Sequence, residues 1–269
     1  MIEYEYTYNR CRIGIGKATA DYFLSLGHRV YGIDIKYTDV KEGLIAFCAD
    51  ITSTEQICSI KERLSDDNVC LDAIINIAGI HKMASLVETD YPQLKRLIDI
   101  NLCGTMLVCN TFHSMLSENG RIIIVTSEVA YLDPMPFNGL YSVSKTALDC
   151  YAQALRQELN LLNKKVITIR PGAIKTPLCT GSLTDTEHLA SHTQLYKSQA
   201  GRFLGLTKKF MGKPMEPIKL ARLIYKATVK KRPRLIYKKH RNLGLVMLNL
   251  LPKRLQCAII KLLLNNKTK

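Results

Sequence analysis

Tyr141 and Lys145 stand four residues apart in the segment Tyr-Ser-Val-Ser-Lys. On a helix, positions i and i+4 share a face, so this spacing brings an ammonium near a phenol. A free phenol has a pKa of about 10, and a neighbouring cation favours its phenolate and lowers that value. A Tyr tuned this way can exchange a proton with an alcohol or carbonyl oxygen. The spacing alone is common on solvated helices. It gains weight from Ser127, 14 residues upstream and just past the apolar run Arg121–Thr126. A hydroxyl at the C-terminal end of a buried parallel strand lies on the ligand side of its sheet.

A second group of residues has the chemistry of a nucleotide site. Gly14-Ile15-Gly16 precedes a helical stretch. Glycines at a helix start let the backbone approach a pyrophosphate, and the free N–H groups with the helix dipole bind it. Asp34 follows 18 residues after Gly16, at the end of the run Val30–Ile35. A carboxylate there can accept both ribose hydroxyls of NAD and would repel the 2′-phosphate of NADP. NAD is therefore the cofactor expected over NADP. An ordinary strand-end turn is the plainer reading of Asp34. No metal site is expected.

These residues need a scaffold that places them together. Short apolar runs at Val30–Ile35, Ile45–Cys48, Ala73–Ile77, Arg121–Thr126, Lys165–Ile169 and Arg234–Tyr237 read as strands. Helix-length stretches at 15–27, 54–65, 90–117, 139–162 and 216–230 separate them. Such alternation implies an α/β fold: a single-domain, Rossmann-type, doubly wound parallel sheet flanked by helices over residues 1–269. Residues 177–215 are rich in Ser, Thr, Gly and His and show no clear period. They read as a long irregular insertion, a substrate lid.

Taken in order, the residues resemble those of the short-chain dehydrogenase/reductases over nearly the whole chain. Gly14-Ile15-Gly16 is similar to the end of that family's glycine-rich turn, and Asp34 to the acid after its second strand. Asp50, followed by Ile51, looks like the residue that contacts the adenine amine. Asn76-Ile77-Ala78-Gly79 resembles the Asn-Asn-Ala-Gly segment. Asn101 resembles the active-site Asn of the long central helix, and with Ser127, Tyr141 and Lys145 it completes a tetrad. Pro171-Gly172-Ala173-Ile174-Lys175-Thr176 looks like the segment that cradles the nicotinamide. The resemblance implies an NAD(P)-dependent oxidoreductase that interconverts a secondary alcohol and a ketone. In it Tyr141 exchanges the proton, Ser127 holds the substrate oxygen, and Lys145 tunes the Tyr and binds the nicotinamide ribose. Asn101 keeps a water in a relay behind Lys145. It also implies pairing of copies through the helical stretches 90–117 and 139–162, a homo-oligomer.

Two departures stand out. The family's first glycine would fall at position 10, where this chain has Arg10, after Asn9. The run Ile2, Tyr4, Tyr6, Tyr8 alternates with Glu3, Glu5 and Thr7, the pattern of a half-exposed strand and not of a central one. Either Asn9 supports a distorted but working turn, or the first dozen residues are not the family's native segment. The second reading makes the chain an impaired, non-enzymatic binding or membrane-associated scaffold. The other departure is a Ser-to-Tyr spacing one residue longer than usual, which leaves Glu128 beside Ser127. Glu128 either faces the substrate or is a solvated loop carboxylate, the commoner state of a Glu.

Composition excludes several classes. The 269 residues are 47% hydrophobic and 23% charged, a globular balance. The formal net charge of +15 is not evenly spread. Residues 1–201 hold 19 Lys/Arg and 22 Asp/Glu, whereas residues 202–269 hold 19 Lys/Arg and the single acid Glu216. That distribution, without a recognisable binding module, argues against a nucleic-acid partner. The tail, residues 238–269, joins basic clusters to the apolar stretches Leu243–Leu251 and Leu255–Leu264. Either it meets an anionic membrane surface, or it is a solvated cationic face over core or dimer-forming helices. No run reaches the ~18–20 apolar residues of a membrane span, and the N-terminus has no apolar signal region. The nine cysteines have no C-x-x-C spacing and read as buried free thiols of a reducing compartment, the cytoplasm. The partner expected at the site is a small alcohol or ketone, lipophilic if the tail meets lipid.

Overall fold

A computed structural model describes residues 5–9, 13–36, 41–210 and 212–265. Seven parallel strands form one sheet. They are β1 (Glu5–Asn9), β2 (Arg29–Asp34), β3 (Leu44–Cys48), β4 (Leu71–Asn76), β5 (Leu116–Val125), β6 (Lys165–Pro171) and β7 (Ile236–Lys239). Their spatial order is β3-β2-β1-β4-β5-β6-β7. The order reverses direction at β1, which is the doubly wound arrangement.

Strand alternation decides which helices cover which face. Ile74, Ile122, Ile124 and Val166 point to one side, into a core shared with α2 (Thr54–Asp66), α4 (Gly104–Phe112) and α5 (Gly139–Asn160). Ala73, Ile75, Ile123, Val125 and Ile167 point to the other, onto α1 (Gly14–Leu24) and α8 (Pro217–Val229). Ile122, Ile123 and Ile124 have no exposed surface at all. Each such side chain contributes about 1.5–3 kcal/mol by leaving water. The apolar run read as a strand buried on both faces is therefore the centre of the molecule.

Four expectations need correction. First, β1 is a central strand: it pairs with β2 on one side and β4 on the other. The winding order leaves it no edge, and a five-residue alternation is too weak a signal to override that topology. Arg10 lies outside the described residues. Second, the stretch 90–117 is not one helix. It runs as α3 (Tyr91–Ile98), one wider π-helical turn (Asp99–Cys103) and α4, and β5 begins at Leu116.

Third, residues 177–215 are not irregular. They form α6 (Pro177–His192) and α7 (Lys197–Phe210). The Thr176 hydroxyl accepts the Cys179 N–H, and Pro177 sits in the first turn, where its missing N–H costs nothing. Ser and Thr hide the period because their hydroxyls bond back to carbonyls of their own helix. Thr186 donates to Ser182 O at 2.7 Å, and Thr207 to Phe203 O at 2.8 Å. A third apolar cluster, with Met83, Phe137, Leu189, Ala200, Phe203 and Leu264, binds these helices to α10 (Lys253–Asn265). The short α9 (Leu243–Leu248) precedes α10.

Fourth, the described cysteines are free but mostly not buried. Cys109 alone among them is buried, and burial pushes its thiol up to about 12. Cys48, Cys70, Cys103, Cys150 and Cys257 are exposed, on helix surfaces and element ends that short apolar runs do not reveal.

Candidate active site

The C-terminal ends of β4, β5 and β6 and the start of α1 open into a cavity of about 740 Å³. Gly14, Ile15 and Gly16 line it at the head of α1. Gly14 has φ +62°, a conformation that a side chain rarely adopts, and a Cβ there would stand 3.2 Å from Thr176 Cγ2. Only a residue without a side chain lets this turn lie so near the segment after β6. Ile13 supplies no side-chain cap to α1. Among the described residues no N-cap side chain takes the first N–H groups of the helix, which stand at the cavity wall where an anion would satisfy them. This cradle fits the pyrophosphate of a dinucleotide.

Ser127, Tyr141 and Lys145 line the same cavity, as do Pro171, Gly172, Ile174 and Thr176. Tyr141 and Lys145 are both buried on α5, with the Lys145 Nζ 6.0 Å from the centre of the Tyr141 ring. Lys145 also donates to Val125 O at 3.4 Å. A Cβ on Gly79 would lie 3.2 Å from both Lys145 Nζ and Asn101 Oδ1, so the glycine lets these two groups converge. The Ser127 hydroxyl accepts the Val129 N–H at 3.4 Å, fixing the turn after β5.

Six of the expected residues do not line the cavity. Asn101 lies behind its wall, fully buried in the π-helical turn. Its Oδ1 accepts the Ile80 N–H at 2.7 Å, and its Nδ2 donates to Ile80 O and to Ser144 Oγ. Asn76 is buried in the interior and donates to Cys109 Sγ at 3.3 Å. Ala78 is buried between Ile77 and Gly79 and belongs to the core. Asp34 stands half-buried at the end of β2, and its carbonyl accepts the Ala49 N–H. The exposed Asp50 carboxylate accepts from the Thr52 N–H and hydroxyl. Ile51 is buried against Gly104, where a Cβ would come within 2.7 Å of its Cδ1.

The sequence did not reveal the device that holds these elements together. Asp149 accepts from Arg170 Nε at 2.8 Å and Nη2 at 2.5 Å, and from the Thr126 hydroxyl at 3.2 Å. This bidentate pair ties the end of β5, α5 and the end of β6, the three elements that carry Ser127, Tyr141 and Pro171. Asp149 extends the helical stripe of Tyr141 and Lys145 by one more turn, which is the signal that could have found it. His81 was missed too. Its ring lies 4.5 Å from that of Tyr141, and its Nε2 meets Asn138 Oδ1 at 3.0 Å. Burial holds its imidazole below the usual pKa, against the hydrogen bond to Asn138 and the charge of Asp185. Its buried Nδ1 has no hydrogen-bond partner among the described residues.

Glu128 is not a solvated loop carboxylate. It is buried, lines the cavity, and accepts the Asn242 N–H at 2.6 Å. Burial pushes its carboxyl above the usual range, offset by the Asn242 hydrogen bond and the charges of His240 and Arg241. The cavity roof comes from α6, α7, α9 and α10, through Leu178, Phe203, Leu206, Leu245, Leu248 and Leu263 among others. It is mostly apolar, with Ser182 and Thr207 among its polar exceptions, while the charged groups gather on the sheet side.

A parallel doubly wound sheet, glycines at the first helix and a Ser–Tyr–Lys group at the strand ends together define a dinucleotide-fold protein. The profile of the family described as short chain dehydrogenase matches residues 11–187, and the chain belongs to that family. It is 31% identical over 137 residues to the short-chain dehydrogenase srdE of Neurospora crassa, covering 51% of this chain and 47% of that one. It is 26% identical to the 3-ketodihydrosphingosine reductase of Bacteroides thetaiotaomicron, covering 82% of this chain and 81% of that protein. The chain spans about half the length of the first of these relatives. Its fold matches the crystal structure of a short chain dehydrogenase from Burkholderia cenocepacia in complex with NADP, with TM-score 0.73 and 20% identity over 98% of each chain.

Proposed function

We propose that the chain is an NAD(P)-dependent oxidoreductase that interconverts a secondary alcohol and a ketone. The observation that carries this reading is the convergence of Ser127, Tyr141 and Lys145 on one cavity with the Gly14–Gly16 turn. Gly14, Ile15 and Gly16 would hold the pyrophosphate, Asp34 the adenosine ribose, and Pro171, Gly172, Ile174 and Thr176 the nicotinamide. The cofactor, when bound, supplies or takes up the hydride. The Tyr141 hydroxyl would give its proton to the carbonyl oxygen in reduction, and the Tyr141 phenolate would take the proton of the alcohol in oxidation. Ser127 donates a hydrogen bond to the same oxygen. Lys145 favours the phenolate through its charge and binds the nicotinamide ribose. Asn101 positions Lys145 from behind, through Gly79 and Ile80. The carboxylate of Asp34 favours NAD over NADP.

The reading is tested with purified protein, NADH and a panel of ketones. Tyr141→Phe should lower kcat by about 10²–10⁴-fold, the range of a lost general acid, while NADH binding followed by fluorescence stays near wild type. Turnover that survives the change would overturn it. The same titration decides the role of position 10: wild type that fails to bind NADH would favour the non-enzymatic alternative.

A further inference from the structure

The two C-terminal helices have two apolar faces. Leu245 and Leu248 of α9, with Ile260 and Leu264 of α10, line the cavity. On the outside, Leu243 and Met247 stand one turn apart on α9 and are 69% and 64% exposed, with Leu250 just beyond the helix at 72%. On α10, Leu255 and Leu262 lie seven residues apart, on one face, and are 46% and 58% exposed. Leu263 belongs to both sides: it lines the cavity and is half exposed. Leu263 therefore joins the apolar lining of the cavity to apolar outer surface.

The charge carried by this segment itself has one sign, though its Lys253 is paired with Asp133. Between Lys238 and Asn265 the chain carries Lys238, Lys239, Arg241, Lys253, Arg254 and Lys261, and no Asp or Glu. A second copy stacked symmetrically on the same face would set these cations against themselves. An anionic, apolar occupant is complementary to it, and a lipid bilayer with acidic headgroups is that occupant. We propose that α9 and α10 form a docking surface for an anionic membrane, with the cavity mouth at Leu263 turned to the hydrocarbon. Only the use of that mouth for a lipophilic alcohol or ketone rests on the function proposed above. Docking does not.

The full chain has no Trp, so a single introduced Trp reports its own surroundings. The chain should sediment with vesicles of phosphatidylcholine and phosphatidylserine, not with phosphatidylcholine alone, and salt should release it. Replacing Lys239, Arg254 and Lys261 with Gln should weaken binding about 100-fold, at roughly 1 kcal/mol for each cation at the surface. Leu262→Trp emission should shift to the blue on the acidic vesicles and be quenched by brominated lipid. Leu161→Trp, on the 82% exposed end of α5, should do neither. Failure to bind acidic vesicles, binding unchanged by the three Gln substitutions, or an unquenched Leu262→Trp on bound protein would each overturn the proposal. So would a dimer that shifts the Leu262→Trp emission without vesicles. None of these readouts needs turnover, so an inactive enzyme and a failed surface give different results.

Discussion

The sheet side and the roof of the cavity are built on opposite principles. On the sheet side, charged and polar groups are buried and pinned: Lys145 to Val125 O, Asn101 to Ile80 and Ser144, Asp149 to Arg170 and Thr126. In the roof, α6, α7 and α10 meet through one small apolar cluster and a few polar bonds at their edges. Arg202 donates to Leu264 O, Gln199 to Asn265, and Lys253 to Asp133. Chemistry needs groups held in one geometry. Admitting different carbon skeletons needs only a shape that excludes water. On the function proposed above, the contrast would assign reactivity to the first region and selectivity to the second.

The sharpest way to break the comparison is to cut a tie on the sheet side. Asp149→Ala leaves the largely buried Arg170 guanidinium, 12% exposed, without its carboxylate and should cost about 3 kcal/mol, the low end for a buried pair, read by urea unfolding. A loss no larger than that of a surface change would show that the pinning is not structural. The roof should respond differently. Leu248→Ala removes a partly exposed wall residue, should cost at most about 2 kcal/mol, and should raise KM for long-chain ketones more than for short ones.

Asp34→Ser tests the far end of the nucleotide side. The ratio of kcat/KM with NADPH to that with NADH should rise by about tenfold, the effect of removing one repulsive charge worth about 1.4 kcal/mol. An unchanged ratio would remove Asp34 from cofactor choice. The smallest effect belongs to Glu128, which joins the two regions. Its folded-state pKa is raised, so the native chain binds more protons than the unfolded one between the ordinary carboxylate value and the raised one. Stability therefore falls as pH rises through that window. Glu128→Gln should remove this fall, and its stability relative to wild type should improve from acid to neutral pH. A difference that does not change with pH would contradict the assignment.

The contrast between the regions also explains what could be read in the sequence. Buried strands such as Ile122–Ile124 are legible because an apolar run of that kind has few other homes. The Tyr141–Lys145 stripe is legible because helical spacing is local. The roof was not, because back-bonded Ser and Thr mask the helical period of α6 and α7. The burial of Glu128 was not legible either, since it depends on an N–H donor 114 residues away. The position of β1 was misread because strand order is a property of the whole winding and not of five residues.

The Glu128–Asn242 hydrogen bond has a consequence for the order of events along the chain. Asn242 is also the N-cap of α9, where its side chain accepts the Leu245 N–H at 3.2 Å. Helix α9 therefore starts at a point anchored on the turn beside Ser127, and it has no fixed seat until that turn has formed. In native-state hydrogen exchange, amides of β5 and α5 should open only with global unfolding, while those of α9 and α10 exchange through smaller openings. The Asn242 amide, held by a buried carboxylate, should be the slow one at their edge. Where the roof lifts, it should lift as a flap hinged at Asn242.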